Sequence, residues 1–206
     1  MTYRTIVIDP PWPVAGAGRP LSGGPGSYVD WSLRVGVAAS RPLPYATMTV
    51  AEISAMRVAE LAHEDGAHLY LWTTNRFLGE AFDVLLTWGF AYSTTLVWAK
   101  RPMGGGLGGA YGISTEFVLF ARRGTLAAES RVTGTWFPWK RPYDERGKPK
   151  HSAKPGDFYG MVEAVSPGPR VELFARAARP GWDVWGDQAP DGDTGGVFVW
   201  QLMERR

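Results

Sequence analysis

The chain has 206 residues, no cysteine and three histidines, with 22 basic against 20 acidic residues for a formal charge of +2. That length buries a core without covalent staples, the absence of cysteine excludes disulfides and thiolate metal sites, and so small a charge does not by itself mark a nucleic-acid binder. Three histidines leave no zinc set, so no metal is expected. No opening apolar segment resembles a signal peptide and no apolar run approaches the ~18 residues of a membrane helix, which predicts an intracellular, cytoplasmic protein.

Tyr3 to Ile8 reads as a buried parallel strand, and it delivers Asp9 directly into Pro10, Pro11 and Trp12. Ligands of open α/β sheets collect outside the carboxyl ends of strands, so a carboxylate at that point is a candidate catalytic group. Each proline fixes its own φ and biases the residue before it toward extended geometry; Asp9 and Pro10 are stiffened together, beside carbonyls expected to be unused by any ladder. The plainer reading is a tight strand exit with an N-capping aspartate. Glycine, proline and serine then interrupt every periodicity over 13–44, predicting a long active-site loop. Tyr45 ends it, either as a ring for a base or as an anchor at a helix entrance.

Thr49-Val50-Ala51-Glu52 is a capping box that opens a helix expected to reach about Ala62. Ala67 to Trp72 reads as a buried strand containing a core histidine, His68, and Asn75 as the N-cap of a helix from Arg76 to about Trp88. A strand from Ala91 to Lys100 leads into a glycine-rich stretch that lacks the lysine and helix of a phosphate loop and suits a mobile, substrate-facing loop. Glu116 lies at the start of the next strand, Thr115 to Ala121. In the segment 136–153, Trp139, Lys140, Arg141, Lys150 and His151 interleave rings with cations, the composition that grips a nucleic-acid strand; a solvated loop is the alternative. An amphipathic helix follows Lys154-Pro155 and runs to Val165, then a buried strand from Arg170 to Arg176 and a stretch ending in Gly186-Asp187-Gln188. Val197 to Leu202 is strand-like and suits a sheet edge or a subunit contact.

Asp9 and the Pro10 carbonyl suit one chemistry in particular. An exocyclic amino group conjugated into a purine is a poor nucleophile until its nitrogen becomes more tetrahedral, and two acceptors for its two N–H bonds would aim its lone pair at a methyl donor. Trp12 and Tyr45 offer π faces for the base or for a cationic sulfur.

Asp9-Pro10-Pro11-Trp12 resembles the signature of the adenine N-6 methyltransferases related to the MT-A catalytic subunit of the messenger-RNA adenosine methyltransferase. Lys154-Pro155, Tyr159-Gly160-Met161, Ser166-Pro167-Gly168, Glu172-Leu173-Phe174-Ala175-Arg176, Trp182 and Gly186-Asp187-Gln188 resemble the second half of that family's pattern in the same order. The resemblance implies an α/β, Rossmann-like class I methyltransferase sheet with helices on both faces and a permuted, β-class motif order, filling 1–206 as one domain. It implies S-adenosylmethionine as donor, with Lys154 on its carboxylate, Arg176 and Glu172 on the ribose side and Asp187 with Gln188 at the adenosine; Asp9 borders the same donor. Glu116 and Tyr45 fall to the target base. Structural alternatives stay open: Lys154 solvated, Glu172 and Arg176 paired on the sheet, Glu116 a solvated strand-end charge. The His-Asn pair of some relatives is missing, since Ala177-Ala178-Arg179 stands there. The expected acceptor is adenine in DNA. RNA, or a noncatalytic nucleic-acid-binding subunit, is the alternative; a homodimer or partner subunit is compatible with either.

Overall fold

The computed structural model describes residues 1–13, 46–100, 112–148, 150 and 153–186. Among them, strands β1 (Thr5–Ile8), β2 (Gly66–Thr73), β3 (Ala91–Ala99), β4 (Thr115–Gly124), β5 (Trp136–Phe137), β6 (Arg170–Leu173) and β7 (Asp183–Trp185) form one sheet in the order β5-β3-β4-β2-β1-β6-β7. β1 pairs parallel to both β2 and β6, β7 parallel to β6, and β5 parallel to β3. β4 alone runs against its neighbours, slotted antiparallel between β2 and β3. This is a Rossmann-like sheet, as the family resemblance implies.

Among the described residues three α-helices cover it: α1 (Val50–Ala55), α2 (Leu78–Thr87) and α3 (Gly156–Val165). Side chains of a strand alternate between faces. Ile6 and Ile8 therefore pack with Ile53 of α1 and Ala81, Val84 and Leu85 of α2, while Val7 packs with Phe158, Tyr159 and Val162 of α3. β1 is buried on both sides, and its run of β-branched residues is the composition that such a central parallel strand requires. Each of these buried aliphatic side chains contributes about 1.5–3 kcal/mol.

Three expected elements differ in detail. The Thr49–Glu52 capping box is present, with each side chain bonded to the other's backbone N–H, but α1 stops at Ala55 and a 3₁₀ turn, Val58–Leu61, follows. Residues two apart lie on opposite sides of a helix. Met56 and Val58 are both buried, which a continuous helix forbids and the extended backbone at Met56 allows. Asn75 caps nothing; it begins a 3₁₀ turn, and its amide donates to the Thr115 carbonyl at 3.3 Å, tying the end of β2 to the start of β4. β6 ends at Leu173 rather than Arg176, because Phe174 turns to a φ of 61°. The loop expected over 13–44, Pro13 apart, the glycine-rich stretch 101–109 and the strand-like tail lie outside the described residues. No helix among the described residues is long and apolar enough to cross a membrane.

His68 is fully buried in β2, as expected for a core histidine. Its Nδ1 lies 2.7 Å from Ser166 Oγ and its Nε2 3.1 Å from the Leu126 carbonyl. Because that carbonyl only accepts, Nε2 carries the proton, Ser166 donates to Nδ1, and the Tyr70 hydroxyl, 2.7 Å away, donates to Ser166. Burial pushes the Tyr70 hydroxyl up to about 12 and the His68 ring below its usual value. Ser166→Ala leaves two buried polar atoms unpaired and is expected to lower stability by about 1–3 kcal/mol in urea unfolding. The wild type is expected to lose stability as pH falls below the ordinary histidine range, since only the unfolded chain then takes up this proton readily.

Candidate active site

Parallel strands end together, so the exits of β1, β2, β3, β5, β6 and β7 share one edge of the sheet with the start of the reversed strand β4. α3 runs back against the strands toward β6, which brings its N-terminal end, and Lys154 just before it, to the same edge. Sequence-distant ionisable groups thus converge. Lys154 Nζ lies 3.0 Å from Asp9 Oδ1 and 3.1 Å from Glu116 Oε2, and Lys100 pairs with the other Glu116 oxygen, Oε1. The result is a row of alternating charge, Lys100–Glu116–Lys154–Asp9, with each side chain largely buried.

Burial raises the Asp9 carboxyl above the ordinary aspartate range; Lys154 opposes the rise and the Glu116 charge adds to it. Burial also works to raise Glu116, but its two lysines win and hold it below the usual glutamate range. Lys154 is pulled down by burial and held above its ordinary value by Asp9 and Glu116, so it remains an ammonium. That ammonium also lies 4.6 Å from the centre of the Trp72 ring, a cation–π contact.

The Asp9-Pro10-Pro11-Trp12 turn is held from both ends. Trp12 N–H donates to the Pro10 carbonyl at 2.8 Å, and Met48 N–H to the Pro11 carbonyl at 2.9 Å. As expected, no strand ladder uses these carbonyls; each accepts one hydrogen bond within the turn or from its neighbour and retains a second lone pair. Trp12 is held firmly by its neighbours. Its indole is buried, stacked on Phe77 with ring centres 5.4 Å apart, and its N–H is spent on the Trp72 carbonyl at 2.9 Å. The ring that meets the Lys154 ammonium is Trp72, which sequence reasoning passed over because a tryptophan within an apolar strand reads as core.

A second group of side chains gathers at the exits of β6 and β7. Glu172 is buried and accepts from the Tyr159 hydroxyl at 2.6 Å; burial pushes its carboxyl up to about 7, with the Asp9 charge contributing and the Tyr159 hydrogen bond opposing. The Arg179 guanidinium lies flat against Tyr159, 3.5 Å from the ring centre. Arg176 is half-buried and its charge acts on Asp9. Phe174, in a left-handed conformation that a bulky residue rarely adopts, turns the chain after β6, and the Ala175 N–H donates to the Trp185 carbonyl at 3.0 Å. Gly186 sits against this turn. A Cβ there would lie 2.3 Å from the Ala175 carbonyl oxygen, so the two strand exits approach as closely as backbones can only with glycine at 186. Backbone strain of this kind is held only where the surrounding structure over-determines it, and it clusters at functional sites.

On the other flank, Trp139 is packed rather than presented, its ring stacked on Phe137 at 4.3 Å and its carbonyl holding the Trp98 N–H at 2.9 Å. Trp136 and Tyr143 are the exposed rings there, and Lys140 and Lys150 are exposed while Arg141 is half-buried. Lys150 N–H bonds the Pro142 carbonyl at 2.9 Å, and Asp144 Oδ1 accepts from the Arg146 and Lys148 N–H groups at 2.9 and 2.8 Å. Asp144, which in sequence only dilutes the charge, is the residue that folds this arm into a hairpin. Tyr45, His151, Asp187 and Gln188 lie outside the described residues.

The MT-A70 family matches residues 3–188, a span that starts ahead of β1 and ends beyond Gly186. The chain belongs to the MT-A70 family. Among its relatives, the type II methyltransferase M.MunI of Mycoplasma sp. is 28% identical over 192 residues, covering 92% of this chain and 78% of the relative. The N(6)-adenosine-methyltransferase catalytic subunit METTL3 of Homo sapiens is 28% identical, and the MT-A70-like N(6)-adenosine-methyltransferase of Drosophila melanogaster 29%, each matching 90% of this chain. The chain spans only 28% and 27% of the lengths of those two relatives. As an MT-A70 protein, the chain is a methyltransferase of the adenine N-6 class. Gly186→Ala is expected to separate the β6 and β7 exits, costing about 1–3 kcal/mol in urea unfolding. Calorimetry should show donor affinity falling by more than that loss of folded protein explains.

Proposed function

We propose that this MT-A70 protein transfers a methyl group from S-adenosylmethionine to N-6 of adenine in DNA. The observation that carries the reading is the buried Asp9 carboxylate, delivered by a central parallel strand to the shared sheet edge and paired there with Lys154. The donor, when bound, supplies a methyl group made electrophilic by a sulfonium. Asp9 accepts one N–H of the adenine amino group and draws the nitrogen toward a tetrahedral geometry. N-6 then forms the new N–C bond while the methyl–sulfur bond breaks with its electron pair going to sulfur, and the proton that N-6 must shed has Asp9 as its nearest base. Placing and polarising the amino group before reaction is how a fixed carboxylate lowers this barrier.

The residues at the strand exits suit the donor. Lys154 is matched to its carboxylate, Glu172 and Arg176 to its ribose side, and Asp187 with Gln188, directly after Gly186, to its adenosine. The turn built by Phe174 and Gly186 supports this side with backbone in close contact. The basic hairpin from Lys140 to Lys150, with exposed Trp136 and Tyr143 beside it, suits phosphates and unstacked bases. DNA is favoured because the similarity to a type II methyltransferase, a DNA-modifying class, runs through most of both chains. RNA is the second reading, favoured by the N(6)-adenosine-methyltransferases that match 90% of this chain.

Asp9→Asn is expected to lower transfer to an adenine-containing oligonucleotide by about three orders of magnitude, with donor binding retained; undiminished turnover contradicts the role given to Asp9. Transfer requires ionised Asp9, and burial raises its pKa. The rate of the wild type is therefore expected to fall with decreasing pH while still above the ordinary aspartate range, as a profile of kcat/KM against pH will show.

A further inference from the structure

The Lys154 ammonium is already fully engaged. Asp9 at 3.0 Å, Glu116 at 3.1 Å and the Trp72 ring at 4.6 Å surround it, as many partners as it has N–H groups. A donor carboxylate reaching Lys154 would be the third carboxylate around one ammonium, so a present partner must leave. The two are not equal. Glu116 keeps a second ammonium, Lys100, on its other oxygen, and Lys100 is itself steadied 5.0 Å from the Trp98 ring. Asp9 has Lys154 as its paired ammonium, with Arg176 contributing less to its charge balance. Releasing Glu116 therefore costs less than releasing Asp9.

A second observation bears on what the released group can do. The Trp12 N–H already occupies the Pro10 carbonyl, which was expected to take the second amino proton of the base. Glu116, at the start of β4, shares Lys154 with Asp9 and is a stronger acceptor than a half-used carbonyl.

We infer that Glu116 is an exchangeable counter-ion that couples the two substrates: the donor's carboxylate takes Lys154 from Glu116, and the freed Glu116 oxygen becomes an acceptor for the adenine edge. The donor then binds first and creates part of the base site. This rests on the reading that Lys154 meets the donor carboxylate. Its consequence is reciprocal coupling between donor and acceptor that depends on the carboxylate of the donor and on the charge of Glu116.

The test compares two nucleosides, S-adenosylhomocysteine, which carries the carboxylate, and methylthioadenosine, which lacks it. Affinity for a single-stranded, adenine-rich DNA oligonucleotide is measured by fluorescence anisotropy at saturation with each. S-adenosylhomocysteine is expected to tighten oligonucleotide binding roughly ten-fold over methylthioadenosine, and Glu116→Gln, which keeps the shape and removes the charge, is expected to erase the difference. Equal affinity with both nucleosides, including none with either, or a difference that survives in Glu116→Gln, overturns the inference. Lys154→Met separates this from failure of the underlying reading. If the ratio of S-adenosylhomocysteine to methylthioadenosine affinity is unchanged in that variant, Lys154 does not hold the carboxylate and both fall; if the ratio drops without coupling in the wild type, only the exchange is wrong.

Discussion

A buried ammonium between two carboxylates is the interaction on which the site depends. Removing a charge from water costs several kcal/mol per ion, recovered only where opposite charges and further contacts meet it with good geometry. Lys154 meets Asp9, Glu116 and the face of Trp72, and Lys100 completes the row on the far side of Glu116. Without Lys154, Asp9 would be driven by burial toward its neutral form, and a protonated carboxyl is a poorer acceptor for an amino group. In the proposed reaction the lysine thus serves the chemistry before any donor arrives.

The fold's part is to make that meeting unavoidable. Asp9, Glu116 and Lys154 come from the end of a parallel strand, the start of the one reversed strand and the approach to a helix. Had β4 run parallel with its neighbours, Glu116 would lie at the opposite edge of the sheet and the row would lose its middle member. The same edge gathers the Phe174 turn, Gly186 and the Glu172–Tyr159 pair on one flank and the basic hairpin on the other. In the proposed function one row of charges therefore separates the donor and nucleic-acid regions, a placement suited to letting occupancy of one be felt at the other.

Much of this was legible in the sequence because it rests on local signals. The strand before Asp9, the capping box at Thr49 and Glu52, the buried His68 and the amphipathic α3 all follow from periodicity and cap chemistry. The departures have tertiary causes. Met56 breaks its helix because burying both Met56 and Val58 outweighs continuing it. Tryptophans announce rings and not what the rings touch, so Trp12 and Trp139 turn out packed while Trp72 receives the ammonium. Lys100 and Arg179 carried no pattern at all; each is defined by a partner far away in sequence, Glu116 for one and Tyr159 for the other.

The central claim is the reaction itself, and it is tested most directly by incubating the protein with isotope-labelled S-adenosylmethionine and matched single-stranded DNA, duplex DNA and RNA, then identifying the labelled nucleoside by mass spectrometry. The account predicts N-6-methyl-deoxyadenosine, with single strands modified faster than duplex because no base has to be flipped from a stack. Label confined to RNA would move the acceptor to the second reading. Label on a nucleoside other than adenine, or donor binding with no transfer to any of the three, would contradict the account.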